Sequence, residues 1–183
     1  MFHSMTGAPS APVPFSSSMP VPVTRTYLEI TDAAEISPAA PPRIDAELRI
    51  RRIDPPDGAT NRWFYEHVGR DHHWTDHADR TDAEWQAWAE TVETWVVSVD
   101  GENAGYYELH PTGDDVEIAY FGLLPHAQGA GLGGHLLTHA LTRAFELAPR
   151  AWVHTCTLDG PYALANYEAR GLRPFRTEVL ASG

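Results

Sequence analysis

The stretch Gln128-Gly129-Ala130-Gly131-Leu132-Gly133-Gly134 decides the architecture. Downstream, Leu132, Leu136, Leu137, Ala140, Leu141, Ala144 and Phe145 recur with the 3.6-residue period of a helix that buries one side. Upstream, Asp115 to Leu124 reads as a strand that stops at Pro125. The unit is therefore strand, glycine turn, helix. Successive backbone N–H groups with little side-chain bulk, at the positive end of a helix dipole, can surround a phosphate. Gly129, Gly131 and Gly134 satisfy G-x-G-x-x-G, but the dinucleotide-binding use of that pattern needs an early βαβ unit in a parallel sheet. A phosphate loop of the Walker type is excluded because no lysine exists to follow the glycines.

What precedes the turn is an antiparallel meander. Thr94 to Val99 reaches Asp100-Gly101, a pair that favours a tight hairpin, Ala104 to Leu109 returns, and His110 to Asp114 turns again. Earlier still, Asn61 to Val68 holds Trp63, Phe64, His67 and Val68 at helical spacing. Thr81 with Glu84 forms a capping box for a helix carrying Trp85, Trp88, Ala89 and Val92 on one face. Between these helices, Arg70 to Arg80 is a polar loop. After the long helix come a strand over Ala151 to Thr157, helix start signals at Asp159 and Pro161, a stop at Gly171 and a last strand over Leu172 to Leu180. Near the front, Thr24 to Thr31 and Ala46 to Ile53 read as strands separated by Pro38, Pro41 and Pro42. Ten of the 15 prolines lie in the first 56 residues, and residues 1–23, a Pro/Ser/Ala mixture, are expected to be a disordered tail. Residues 24–183 are expected to form one domain: N-terminal strands over 24–60, two helices over 61–93 and the meander with its strand–glycine-turn–helix core over 94–183.

At 183 residues and 43% hydrophobic, the chain is long enough for one core. It carries 13 basic residues, all arginine, against 25 acidic ones, a formal charge of −12. That balance argues against nucleic acid as a partner and suits cationic small molecules or basic peptides. No run approaches membrane-spanning length, and the first 24 positions hold no Lys or Arg for the start of a secretory signal. A single cysteine, Cys156, forms no internal disulfide, so a cytoplasmic location is the expectation.

With the meander in place, Leu123-x-Pro125-x-x-Gln128-Gly129-x-Gly131-x-Gly133 resembles the [Q/R]-x-x-G-x-G/A signature of the GNAT acyltransferase superfamily. Glu117-Ile118-Ala119-Tyr120-Phe121-Gly122-Leu123 is similar to the fourth strand of those enzymes. Ala163-Leu164-Ala165-Asn166-Tyr167-Glu168-Ala169-Arg170-Gly171-Leu172 resembles their closing A-x-x-x-Y-x-x-x-G-F helix, with Leu172 where Phe is usual. The resemblance covers about Thr94 to Phe175. It implies an α+β fold whose mixed, largely antiparallel sheet is splayed between its fourth and fifth strands and flanked by about four helices. It also implies acetyl-CoA as donor and acyl transfer to an amine without a covalent enzyme intermediate.

On that resemblance, Gln128, Gly129, Ala130, Gly131, Leu132, Gly133 and Gly134 hold the pyrophosphate, and Leu123 and Leu124 pair with the pantetheine arm. Asp159 stands near where relatives contact pantetheine, or is only a helix cap. An alkyl ammonium, with a reference pKa of roughly 10.4, must lose its proton before attack. Glu117 is the expected base, its basicity raised if Tyr107 and Tyr120 flank it; the bland reading is a strand glutamate paired with an arginine. Tyr167 matches the superfamily's donor to the departing thiolate, or else packs its helix onto the sheet. For the acceptor, Trp63, Tyr65, Glu66, Trp74 and Tyr107 offer aromatic faces and charge to an amine of a small molecule or peptide.

Metal is not expected. His135 and His139 have zinc-like spacing but fall on the polar helix face, and Asp71, His72, His73, Asp76 and His77 read as a merely polar loop. His154 and Cys156 share a strand face, with no base implied for the thiol. Only 12 residues follow Gly171, too few for the two final strands usual in such domains. The strand at Thr24 to Thr31 is expected to fill the gap, from its own chain or from a second subunit, which would make a homodimer. Two function classes stay open: an N-acetyltransferase, and an inactive coenzyme-A-binding regulatory or structural module.

Overall fold

In the computed structural model, residues 23–72 and 74–180 are described; the expected N-terminal tail, up to residue 22, lies outside them. Seven strands, β1 (Val23–Ile30), β2 (Leu48–Arg52), β3 (Glu93–Val99), β4 (Glu102–Thr112), β5 (Asp115–Leu123), β6 (Arg150–Cys156) and β7 (Arg173–Leu180), form one sheet in the order β2-β3-β4-β5-β6-β1-β7. Every pairing is antiparallel except β5 with β6. Four helices accompany it: α1 (Gly58–Gly69), α2 (Asp82–Ala89), α3 (Leu132–Leu147) and α4 (Ala163–Ala169). None of them is long and apolar enough to cross a membrane.

Local chemistry sets the element ends. The Asp100-Gly101 turn takes φ of 49° and 82°, which closes the β3–β4 hairpin. Thr81 and Glu84 bond reciprocally at the start of α2. Gly171, at φ 105°, ends α4 in a conformation that side chains rarely adopt, and a Cβ there would also collide with the backbone of Glu35. Ser37 N–H donates to Arg170 O, Ala39 N–H to Thr138 Oγ1 and Arg43 N–H to Ala130 O. The β1–β2 connection thus straps α4, α3 and the glycine turn on its way across the sheet.

The place expected for an added strand is taken by β1 of the same chain, held between β6 and β7 with registers such as Tyr27↔His154 and Arg25↔Glu178. The gap after Gly171 therefore makes no demand on a second subunit. One sheet face carries the main core: Leu28, Ile30, Leu109, Val116, Ile118, Ala151 and Val153 against Leu132, Leu136, Leu137 and Leu141 of α3. The other face carries Val96 and Tyr106 against Phe64 and Val68 of α1.

Candidate active site

β5 and β6 share only three rungs, Asp115↔Arg150, Val116↔Ala151 and Glu117↔Trp152. Beyond Glu117 the strands part: β6 stays with β1, while β5 runs on to Leu123 paired only with β4. A wedge opens there, with the β5 edge free along one wall. Glu117 stands at its apex. Val116 and Ile118 belong to the α3-side core, so alternation turns Glu117 to the α1/α2 face. Burial raises its pKa above the usual carboxylate range. His154 turns the same way, its Nε2 3.8 Å from Glu117 Oε1, and His110 lies directly across the ladder from Glu117.

Strict alternation would put Tyr120 on the opposite face from Glu117. The register slips, however: Glu108 pairs with Tyr120 and Leu109 with Ile118, which leaves Ala119 as a one-residue bulge. The bulge returns Tyr120 to the face of Glu117, where its ring lies 5.3 Å from Trp74 and 6.1 Å from Trp88. Trp74 comes from the α1–α2 connection and spans the wedge: its Nε1 donates to Asp159 Oδ1 at 3.4 Å, beyond β6.

At the mouth of the wedge, Gly129 and Gly131 take φ of 87° and 81°, and α3 starts at Leu132 with no side-chain cap. The N–H groups of Leu132, Gly133 and Gly134 have no carbonyl within the helix to bond. Gln128 Nε2 reaches back to Leu123 O at 3.5 Å, while Leu124 N–H is taken by Ala104 O. Backbone N–H groups placed this way can surround an anion. On the α3 side of the sheet Tyr167 is buried against Phe121 with ring centroids 6.1 Å apart, and burial raises its pKa. Among the described residues its hydroxyl makes no hydrogen bond.

The residues expected on the acceptor side divide. Tyr65 and Trp74 face the Glu117 side; Tyr65 is 5.5 Å from Tyr120 and donates to Asp76. Trp63 and His67 stack at 4.1 Å and line a cavity of about 510 Å³ with Arg70, Glu102 and His126, at the glycine-turn end. Glu66 is bound to Arg62 at 2.8 Å. Tyr107 points to the other face of the sheet, under α3, with its hydroxyl 2.7 Å from His139 Nδ1. It does not flank Glu117, because Glu117 lies across from His110, and Tyr107, three residues back along β4, faces the other way.

Two other expectations change. His139 is not a solvated residue: it is half-buried between Tyr107 and Trp95, and burial lowers its pKa. Asp159 does not cap α4, which begins at Ala163 after an uncapped Tyr162. Its carboxylate instead closes the turn after β6, accepting from Thr155 Oγ1 at 2.6 Å and Cys156 N–H at 2.8 Å. No group of three metal-ligating side chains occurs among the described residues.

Sequence reasoning passed over Glu108. It is fully buried, accepts from Asn61 Nδ2 and Trp88 Nε1, and has its pKa raised by burial to about 7 against the pull of those donors. Asn61 also donates to Thr94 Oγ1. A carboxylate thus ties α1 and α2 to β4, and it sets the Trp88 ring 5.1 Å from His110. The available signal was a charge in the middle of an otherwise apolar returning strand.

Among curated proteins none matches the chain. Solved structures do. A GCN5-related N-acetyltransferase from Kribbella flavida is 18% identical over 84% of this chain and 55% of its own, with a TM-score of 0.59. One from Sphaerobacter thermophilus is 14% identical over 86% and 50%, with a TM-score of 0.63. An IAA acetyltransferase from Bacillus cereus is 25% identical over 71% and 79%, with a TM-score of 0.53. The chain thus spans about half the length of the first two. The model of the acetyltransferase (GNAT) family matches residues 60–172, from α1 through the wedge and glycine turn to the end of α4, and on that match the chain belongs to the GNAT acetyltransferase family.

Proposed function

We propose that the chain is an N-acetyltransferase that moves an acetyl group from acetyl-CoA to a primary amine of a small molecule or peptide. One observation carries this reading: a wedge with a free strand edge, a half-buried carboxylate at its apex and an uncapped glycine cradle at its mouth. The fit to acetyl-CoA rests on this chain's own groups. The positive-φ glycines and the free N–H groups of Leu132 to Gly134 suit a pyrophosphate, and the edge of β5 from Ile118 to Leu123 suits an extended amide-bearing arm. Acetyl-CoA supplies the activated thioester.

Glu117 lies on the α1/α2 face of the sheet, and Tyr167 lies against Phe121 on the α3 face. Glu117 takes a proton from the substrate ammonium, which frees the nitrogen lone pair to attack the thioester carbonyl. Its raised pKa, caused by burial, makes it a better base than an exposed glutamate. As the carbon–sulfur bond breaks, the Tyr167 hydroxyl gives its proton to the sulfur, and the second proton lost by the nitrogen restores the phenol; a phenol whose pKa burial has raised stays protonated until then. Tyr65, Trp74 and Tyr120 offer aromatic faces to the amine, and Asp76 offers a carboxylate. Residues 24–183 act as one catalytic domain on this reading, and the single free Cys156 suits a reducing cytoplasm.

The test couples binding to turnover. Acetyl-CoA should raise the melting temperature, and thiol release should depend on an amine from a panel of polyamines, amino acids, aminoglycosides and peptide N-termini. Glu117→Gln should keep the melting shift and lose roughly a hundredfold or more in turnover. Binding with no turnover on any amine would identify a coenzyme-A-binding module instead.

A further inference from the structure

Acetyl transfer leaves a proton on Glu117 and one neighbouring group at the apex, His154, without a part. Of the two protons the ammonium loses, one ends on the thiol sulfur, and the other, resting on Glu117, must reach water before the next turnover. Glu117 has little contact with water of its own. Its side chain is 19% exposed, while that of His154, 3.8 Å away, is 37% exposed. The two side chains come from adjacent strands, just where the parallel ladder ends.

The imidazole is held in place. Its ring lies 5.8 Å from that of Tyr27 and 6.5 Å from that of Trp152. The charged and titratable groups around it come from every neighbouring element: Arg25 and Tyr27 on β1, Glu117 on β5, Asp76 in the α1–α2 connection, Asp159 after β6 and Glu178 on β7. Burial and Arg25 oppose protonation, and they outweigh Asp159, Asp76 and Glu178, so the pKa lies below that of a free histidine. At neutral pH the ring is a neutral acceptor that releases a proton readily. A separation of 3.8 Å exceeds a hydrogen bond and is closed by a small side-chain rotation.

On the reading that Glu117 is the base, we propose that His154 is the proton relay that resets it. The ammonium N–H bond breaks as the Glu117 O–H bond forms. That O–H bond then breaks as His154 Nε2 gains the proton, restoring the carboxylate, and the imidazolium passes its proton to water. No electrons change hands, and no further reactant is needed. His154 acts through Glu117 and need not touch the amine.

The experiment measures thiol release at saturating acetyl-CoA for the wild type, His154→Phe, His154→Ala and Glu117→Gln. The phenyl ring of His154→Phe preserves the packing on Tyr27 and Trp152, so its melting shift with acetyl-CoA should be unchanged. Turnover of both His154 variants should fall by about ten- to a hundredfold with little change in the KM of the amine. Added imidazole should restore His154→Ala in proportion to its free-base concentration and leave His154→Phe slow. Wild-type turnover in either His154 variant, or a slow His154→Ala that imidazole and other small buffers do not rescue, overturns the relay while leaving the base assignment intact. Wild-type turnover in Glu117→Gln, or a wild type that releases no thiol with any amine, instead overturns the base, and the relay with it.

Discussion

The two faces of the central sheet are built on opposite principles. Against α3, the sheet presents leucine, isoleucine, valine and alanine, and the polar pairs there, such as Tyr107 with His139, are few and satisfied. Toward α1 and α2 it presents Tyr106, Glu108, His110, Glu117, Tyr120 and His154, packed among tryptophans. Some of those groups are costly. Tyr106 Oη and Arg80 Nη1 are buried without a partner among the described residues, and the Arg80 guanidinium lies over the rings of Trp85 and Trp88 at 5.0 and 5.1 Å. Strands have period two, so a single sheet can assign stability to one face and chemistry to the other. The wedge between β5 and β6 is where the two faces communicate.

The strongest challenge to this division is a cavity on the α3 face. Leu136 is fully buried in the main core, and Leu136→Ala should cost about 2–5 kcal/mol. Denaturant unfolding checks the loss, and turnover per folded molecule should stay near wild type. A smaller effect is expected where the faces meet. Tyr167→Phe keeps the ring against Phe121 and removes only the hydroxyl, so turnover should fall by roughly ten- to a thousandfold, about 1.4–4 kcal/mol of barrier, with stability nearly unchanged. A stable variant with full turnover on a good amine would return Tyr167 to a packing role.

On the α1/α2 face the informative variable is pH. The Glu108 carboxyl, ordinarily at 4.5, is raised by burial to about 7, so the folded protein prefers it protonated. The stability it contributes is complete below the unfolded value and is lost as pH rises through about 7, a change of up to about 3 kcal/mol. Glu108→Gln, neutral throughout, should remove that slope between pH 4.5 and 7.5 in thermal unfolding. The smallest effect belongs to neither face. Thr81→Ala removes the cap of α2 and should cost about 1 kcal/mol, with turnover unchanged.

The hairpin at Asp100-Gly101, the Thr81 cap, the amphipathic α3 and the glycine turn were legible because each is fixed by residues adjacent in sequence. The face of Tyr120 was not, because the bulge at Ala119 becomes visible only when β5 is laid against β4 and two residues oppose one. Tyr107 was misplaced because the residue that lies across from Glu117 is His110, and alternation along β4 turns Tyr107 to the opposite face. Asp159 read as a helix start by its type and position, yet the backbone turns after Cys156 in a way that gives its oxygens to Thr155, Cys156 and Trp74.

By itself the sequence determined that this chain makes a strand–glycine-turn–helix unit behind an antiparallel meander. Periodicity and turn chemistry act over a few residues and leave their mark in order along the chain. Only the tertiary structure decided that β1 lies between β6 and β7, that Glu108 is buried between Asn61 and Trp88, and that His154 stands beside Glu117. Those facts depend on contacts between residues 20 to 157 positions apart. Which partner such a residue meets is set by the packing of whole elements, and no local pattern records it.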